Sequence, residues 1–343
     1  MTSLVLEHIS KRFGAADVLT SINLSVEAGE RIAITGESGS GKTTLLRIIA
    51  GLEQPTSGRI RLNELEVTNW PANRRSVGMV FQDYATYPRL SVAENLTVSL
   101  VGATVTKAEK ELRLHEIASW LELDGMLRRL PTELSGGQLQ RVALGKALMS
   151  RPKILLLDEP FSQLDVRLTE QLRRLLNESH QRYGMTQILV THQPLDALCS
   201  VDKLAVLEKG RLIQYDTPAA VRQRPATRFA AELTSPCGLN VLPAQALSTV
   251  SVPGQMGVIA FRPETVRICP IGSQLGESRG VERGAAAFRC RLGTERDLGI
   301  VRLQEAFVGD HKILIVCRDG AAHPTGEEVQ CSVQREDMLI FPI

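Results

Sequence analysis

The stretch RIAITGESGSGKTTLLRIIAG, residues 31–51, leaves a chain few choices. RIAIT is a short apolar run of buried-strand type, and KTTLLRIIA is a helix that Gly51 can stop. Between them GESGSGKT packs three glycines into eight residues, which predicts a tight strand-to-helix turn. Gly36, Gly39 and Gly41 permit backbone angles that other residues avoid, so successive N–H groups can line one concave surface. The helix start behind the loop adds unpaired N–H groups and positive potential. Such a cradle holds phosphate. Ser38, Ser40 and Thr44 complete the loop and first turn. In the pattern G-x-x-x-x-G-K-[ST], Lys42 neutralises the β- and γ-phosphate oxygens and the Thr43 hydroxyl reaches Mg²⁺.

A second helix start of similar kind lies downstream. LSGGQLQRVALGKAL, 134–148, opens with a hydroxyl, Ser135, two glycines, Gly136 and Gly137, and then Gln138. It too offers bare N–H groups to an anion, although a serine-capped helix within one molecule is the plainer alternative. Next, KILLLDEP, 153–160, ends an apolar strand in Asp158 and Glu159. Ligands sit at the carboxyl ends of parallel strands. There the first carboxylate suits Mg²⁺ through a water, and the second can polarise an attacking water. Taken alone, the pair would read equally well as a solvated turn closed by Pro160.

Strand-like and helix-like pieces alternate over 1–235, the α/β pattern. SLVLEHISKRF, SINLSVEAG, SVGMVF (76–81), TQILVTH (186–192) and KLAVLEKG (203–210) read as strands. Over about 86–150 helix takes over: Thr106 with Glu109 fits a capping box, and Ile117, Trp120 and Leu121 share one helix face. Over 236–343, GVIAFRPETVRI, HKILIVCR and EVQCSVQ, cut by Gly, Pro and Asp, predict a small all-β barrel or sandwich. The join falls near TSPCGLNVLP. A length of 343 residues accommodates two such domains.

Composition excludes several classes. Forty Lys and Arg against 38 Asp and Glu give no electrostatic case for nucleic acid or an anionic membrane, and no nucleic-acid partner is expected. No apolar run approaches the ~20 residues of a membrane span. MTSLVLEHISKRF lacks a signal peptide's features; a cytosolic protein able to dock on a membrane protein is expected. The six cysteines show no CxxC spacing and read as small buried hydrophobes.

GESGSGKT, FQDY (81–84), LSGGQ (134–138), ILLLDEP (154–160), SQLD (162–165) and VTH (190–192) stand in the order found in ATP-binding cassette (ABC) ATPases, which the first two-thirds of the chain resembles. The later segments GRLIQYDTPAAVRQRPATRFAAEL, GLNVLPA and FRPE resemble the importer subgroup for sugars, polyamines, sulfate or iron, whose ATPase subunits carry a C-terminal β-barrel. The resemblance implies a P-loop fold with a helical subdomain, ATP and Mg²⁺ as cofactors, and ATP hydrolysis coupled to uptake. It also implies a head-to-tail pair, with itself or a paralogous ATPase subunit, that holds each ATP between one subunit's Lys42 loop and the other's Ser135 helix. Membrane-spanning permease subunits, and through them a solute-binding protein, are the further partners, on the inner face of the cell membrane.

Residue by residue, the resemblance makes Phe13 the aromatic that stacks on adenine, although alone it would more often be a core residue. Gln82 matches the glutamine that senses Mg²⁺ and the attacking water, His192 the switch histidine at the γ-phosphate, and Asp165 a residue communicating across the pair. For Asp165 a helix N-terminal carboxylate is nearly as good an account. Tyr84, Tyr87 and Pro88 match the groove that receives a permease helix, with core packing as the competitor. Leu139 and the Gln-Pro-Leu-Asp after His192 depart from the pattern, and Gly145 sits mid-helix at a cost of roughly 1 kcal/mol relative to Ala. Two other functions remain open: a soluble ABC ATPase outside transport, and a C-terminal module that binds a solute or regulator and uses ATP as a switch.

Overall fold

The computed structural model describes residues 2–101, 104–162, 164–193, 198, 201–246, 257–269, 285–297, 301–317 and 325–342. Two sheets build the first part of the chain. The long antiparallel arms β1 (Thr2–Phe13) and β2 (Ala16–Glu27) pair with β4 (Ser57–Leu62) and β5 (Leu65–Glu66) in the order β2-β1-β4-β5. The other sheet runs β10-β9-β3-β8-β7-β6, from β3 (Arg31–Thr35), β6 (Val77–Val80), β7 (Ile154–Asp158), β8 (Thr186–Thr191), β9 (Lys203–Glu208) and β10 (Arg211–Asp216). All its pairings are parallel except β9 with β10.

The central strands carry continuous apolar runs because both faces are covered. Alternation along each strand divides its side chains between two cores. Ile154, Leu156, Ile188 and Val190 join Ile32, Ile34 and the apolar face of α1 (Lys42–Ala50), under the antiparallel sheet. Leu155, Leu157 and Leu189 point the other way, into a core shared with α2 (Val92–Thr97), α3 (Lys107–Trp120), α4 (Gly136–Leu148) and α5 (Val166–Tyr183). The helical stretch between β6 and β7 is thus fastened to the sheet by apolar burial.

Thr106 caps α3 by accepting from Glu109 N–H at 3.2 Å, but Glu109 turns its carboxylate to Arg113, so only half of the expected box forms. Gly145 has a packing reason. A Cβ there would lie 2.6 Å from Leu96 Cδ2 and 2.9 Å from Leu121 Cδ1, so its absence lets α4 close on α2 and α3.

The chain divides into two compact units, Met1–Pro218 and Ala219–Ile343. The division precedes the join expected near 235 because the short helices α6 (Pro218–Gln223) and α7 (Arg228–Leu233) fasten to the second unit. Arg222 pairs with Glu264, and Ala231 packs on Ala260 and Phe341. In that unit β11 (Asn240–Pro243), β12 (Gly257–Phe261) and β18 (Leu339–Pro342) form one antiparallel sheet. β13 (Arg267–Cys269), β14 (Ala285–Asp297), β15 (Arg302–Val308), β16 (His311–Cys317) and β17 (Glu328–Gln334) form another. Phe261, Phe288, Ile313, Ile315 and Val333 fill its core, where the Cys290 and Cys331 thiols meet at 3.2 Å. Cys237 and Cys317 are half-buried, and Cys199 lies outside the described residues.

Candidate functional site

Strand register sets the site. Thr35 lies opposite Thr191 and Asp158 opposite Val190, so Gly36, Glu159 and His192 all leave the sheet at one edge. The Gly36 to Gly41 loop crosses that edge into α1. Two of its glycines are required by close approach: a Cβ on Gly36 would lie 2.1 Å from Leu207 O, and one on Gly41 would lie 2.8 Å from Val18 O. Gly41 is also left-handed, at φ +100°. Lys42 folds back over the loop, its Nζ donating to Gly36 O at 2.9 Å and Glu37 O at 2.7 Å. Burial lowers its ammonium pKa, opposed by Glu159 and Asp158. The Ser40 hydroxyl is buried and makes no hydrogen bond among the described residues.

Thr43 Oγ1 donates to Asp158 Oδ1 at 3.0 Å, linking helix start and strand end. Burial holds the Asp158 carboxyl above the usual carboxylate range, with the Thr43 bond opposing and Glu159 adding to the shift. Glu159 sits at φ +47°, strained for a residue with a Cβ. Its N–H donates to Val190 O at 2.9 Å, and its Oε2 lies 3.0 Å from His192 Nδ1. A cleft of about 410 Å³ opens beside these groups, lined by Ser38, Gly39, Lys42, Thr43, Thr44, Gln82 and Glu159, with Val18 and Gly41 on its wall. That is large enough for a nucleotide's phosphates. Basic and hydroxyl groups from the loop therefore face two carboxylates and an amide. This arrangement can neutralise a polyphosphate, hold a hard cation and orient a water.

Ser135, Gly136, Gly137 and Gln138 do not line that cleft. Ser135 caps α4 reciprocally: its Oγ accepts from Gln138 N–H at 3.4 Å, and Gln138 Oε1 accepts from Ser135 N–H at 2.9 Å. Gly137 is buried, and a Cβ on it would meet Leu168 Cδ2 at 2.8 Å. Gly136 is exposed, with nothing within reach of an added Cβ. The end of this helix therefore presents its backbone to solvent. Asp165 caps α5, accepting from Leu168 N–H at 2.9 Å.

Phe13 ends β1 and is 47% exposed, so it is no core residue. Tyr84 is half-buried against the helical core, whereas Tyr87 and Pro88 are exposed. Residues 163 and 194–196 lie outside the described residues, so the departure after His192 has no structural account here.

Three polar residues escaped the sequence reading. Asn95, fully buried, donates to the carbonyls of Tyr87, Leu90 and Ser91 and accepts from Tyr87 N–H, pinning the loop that carries Tyr87. Gln140, 3% exposed, donates to Pro160 O at 2.6 Å and ties α4 to the residue after Glu159. Arg75 places its guanidinium on the carbonyls of Ile48 and Ile49 at the end of α1, where the helix dipole favours a cation. Only the spacing of Gln140 after LSGGQ offered a signal; Arg75 acts through contacts remote in sequence, and Asn95 through a loop four to eight residues back whose path only the fold sets.

Comparison with known proteins accords with this geometry. A family model described as "ABC transporter" matches residues 19–162. The maltose/maltodextrin import ATP-binding protein of Salmonella typhimurium is 41% identical over 83% of this chain and 75% of its own. The Fe(3+) ions import ATP-binding protein of Agrobacterium fabrum is 38% identical over 90% of this chain and 86% of its own. Among solved structures, a dimeric ATP-binding cassette in a post-hydrolysis state with ADP and Pi superposes with a TM-score of 0.56 at 30% identity, covering 62% of this chain and 98% of that one. A nucleotide-free cassette from an ABC transporter gives 0.61 at 26% identity, covering 68% and 98%. With a glycine loop running into a helix, two strand-end carboxylates beside it and relatives of this extent, the chain belongs to the ABC transporter family, as an ATP-binding, ATP-hydrolysing importer subunit.

Proposed function

We propose that the chain works as one of two ATPase subunits set head to tail, each closing the other's nucleotide cleft. The observation that supports this is the separation of the two anion-seeking helix starts. Lys42, Thr43, Gln82 and Glu159 line one cleft, with Asp158 held by Thr43 and His192 by Glu159, while the exposed Ser135 and Gly136 end of α4 is absent from it. A second copy can supply that end to the γ-phosphate. ATP then joins the two copies, and its hydrolysis releases them.

In this mechanism Lys42 leaves the carbonyls of Gly36 and Glu37 for the β- and γ-phosphates, while the loop N–H groups and Thr44 hold the remaining oxygens. Phe13 stacks on the base. Glu159, held by His192 and by its bond to Val190, accepts the proton of a water aligned with the γ-phosphate; Gln82 orients that water. Separation of charge is costly in a desolvated cleft, so these preset dipoles carry most of the rate enhancement. The oxygens of Thr43, Asp158 and Gln82 fit Mg²⁺, which takes few protein ligands beside phosphates and waters. When bound it neutralises the phosphate charge. Burial of Asp158, which raises its carboxyl pKa despite the attraction of Arg47 and Lys42, supports the assignment.

The pair acts at the inner face of the membrane with membrane-spanning permease subunits, which Tyr87 and Pro88 help receive, and with a solute-binding protein beyond them. Among the described residues no helix is long and apolar enough to cross a membrane. The relatives' names divide between maltose and Fe(3+), so the solute, of the sugar, polyamine or anion class, is set by those partners. The β-rich C-terminal unit has a regulatory role. Glu159→Gln tests the mechanism: ATP still binds, turnover nearly vanishes, and a nucleotide-bound dimer accumulates in size-exclusion chromatography. Near-normal ATPase activity in that variant would overturn the role of Glu159.

A further inference from the structure

We infer that Lys11 is a positioning residue for the nucleotide base, acting through Phe13. The inference rests on the stacking role proposed for Phe13. The two residues lie two apart on β1 and so share a strand face. Lys11 Nζ stands over the Phe13 ring, 4.6 Å from its centroid, within cation–π range.

The ammonium is itself fixed, donating to Glu53 Oε1 at 2.6 Å and to Gln54 O at 2.7 Å, with the Lys11 side chain only 11% exposed. The ring it covers is 47% exposed. One face of Phe13 is thus occupied by an anchored cation, and a flat ligand can use only the other. The ring itself does not line the cleft, but its hairpin reaches it: Phe13 pairs with Ala16, and Val18, two residues on, lines the cleft with its carbonyl beside Gly41. A cation under the ring also draws density from its open face, which favours stacking with an electron-rich purine. Lys11 holds the ring at a set angle and tightens the base without touching the phosphates.

The test is titration calorimetry of the full chain without Mg²⁺, using ATP and, as a ligand with no base, inorganic tripolyphosphate. Lys11→Met should weaken ATP about two- to five-fold, the size of an exposed cation–π contact, and leave tripolyphosphate unchanged. Combined with Phe13→Ala, it should add nothing further. If Phe13→Ala weakens ATP and Lys11→Met does not, the positioning role fails while the stacking role stands. Equal weakening of both ligands would place the effect in the phosphate loop and overturn the inference. If Phe13→Ala leaves ATP affinity unaltered, the stacking role falls and takes this inference with it.

Discussion

Asp158 carries the conflict between stability and function in a single side chain. It is 4% exposed, one oxygen accepts from Thr43, and Glu159 adds a like charge next door. Burial raises its folded pKa above the unfolded one. The stability that follows is present in full below the unfolded value and is lost as pH rises through the folded value. At neutral pH the ionised carboxylate therefore destabilises the nucleotide-free fold. Asp158→Asn should raise the Tm of that form at pH 7, and the gain should shrink towards acid pH in a thermal scan. The same variant should lose ATPase activity by roughly a hundredfold or more, because several kcal/mol of charge stabilisation goes with the cation. Glu159 pays differently, through a left-handed backbone that costs of order 1–3 kcal/mol and is held by Val190 and Ser162.

Among the elements, α4 links the most parts. Its first turn presents Ser135 and Gly136, Gln140 reaches the Pro160 carbonyl, and Gly145 admits Leu96 and Leu121. Gly145→Ala tests the last contact. Alanine regains about 1 kcal/mol of helix propensity, yet its methyl overlaps two leucines, and overpacking costs about 1–3 kcal/mol. The urea midpoint should fall by the equivalent of up to ~2 kcal/mol. A rise would mean that α2 and α3 yield easily. Propensity alone marked this glycine as a defect; its role became plain only once three helices were placed together. The strands were easier to read, since RIAIT, ILLLD and TQILVT are buried on both faces and so carry continuous apolar runs with polar residues at their ends. The half-formed cap at Thr106 shows the limit of local pattern, because Glu109 had a better partner in Arg113 one turn on.

For the whole molecule, the separation of Ser135 from the Lys42 cleft makes a strong demand. A variant with Ser135→Arg spoils the end offered to the partner, and one with Glu159→Gln spoils its own cleft. Each should be inactive alone. Mixed in equal amounts, about half of the dimers combine one of each if pairing is random, and every such pair has one cleft with both halves sound. ATPase activity should therefore reappear on mixing, to roughly a quarter of the unmutated level. Continued silence would argue against head-to-tail sharing.

The order of motifs along the chain was enough to identify the glycine loop, the carboxylate-ended strand and the family, because glycine loops and strand-end carboxylates are local in sequence. Packing decided the rest. Asn95, Gln140, Arg75 and the Lys11–Phe13 contact join residues brought together by neighbouring strands, helices and loops, and the boundary at Pro218 reflects which core two short helices choose. Such choices depend on how side chains pack in three dimensions, whether the partner is two residues away, as Phe13 is from Lys11, or twenty and more, as for Gln140 and Arg75.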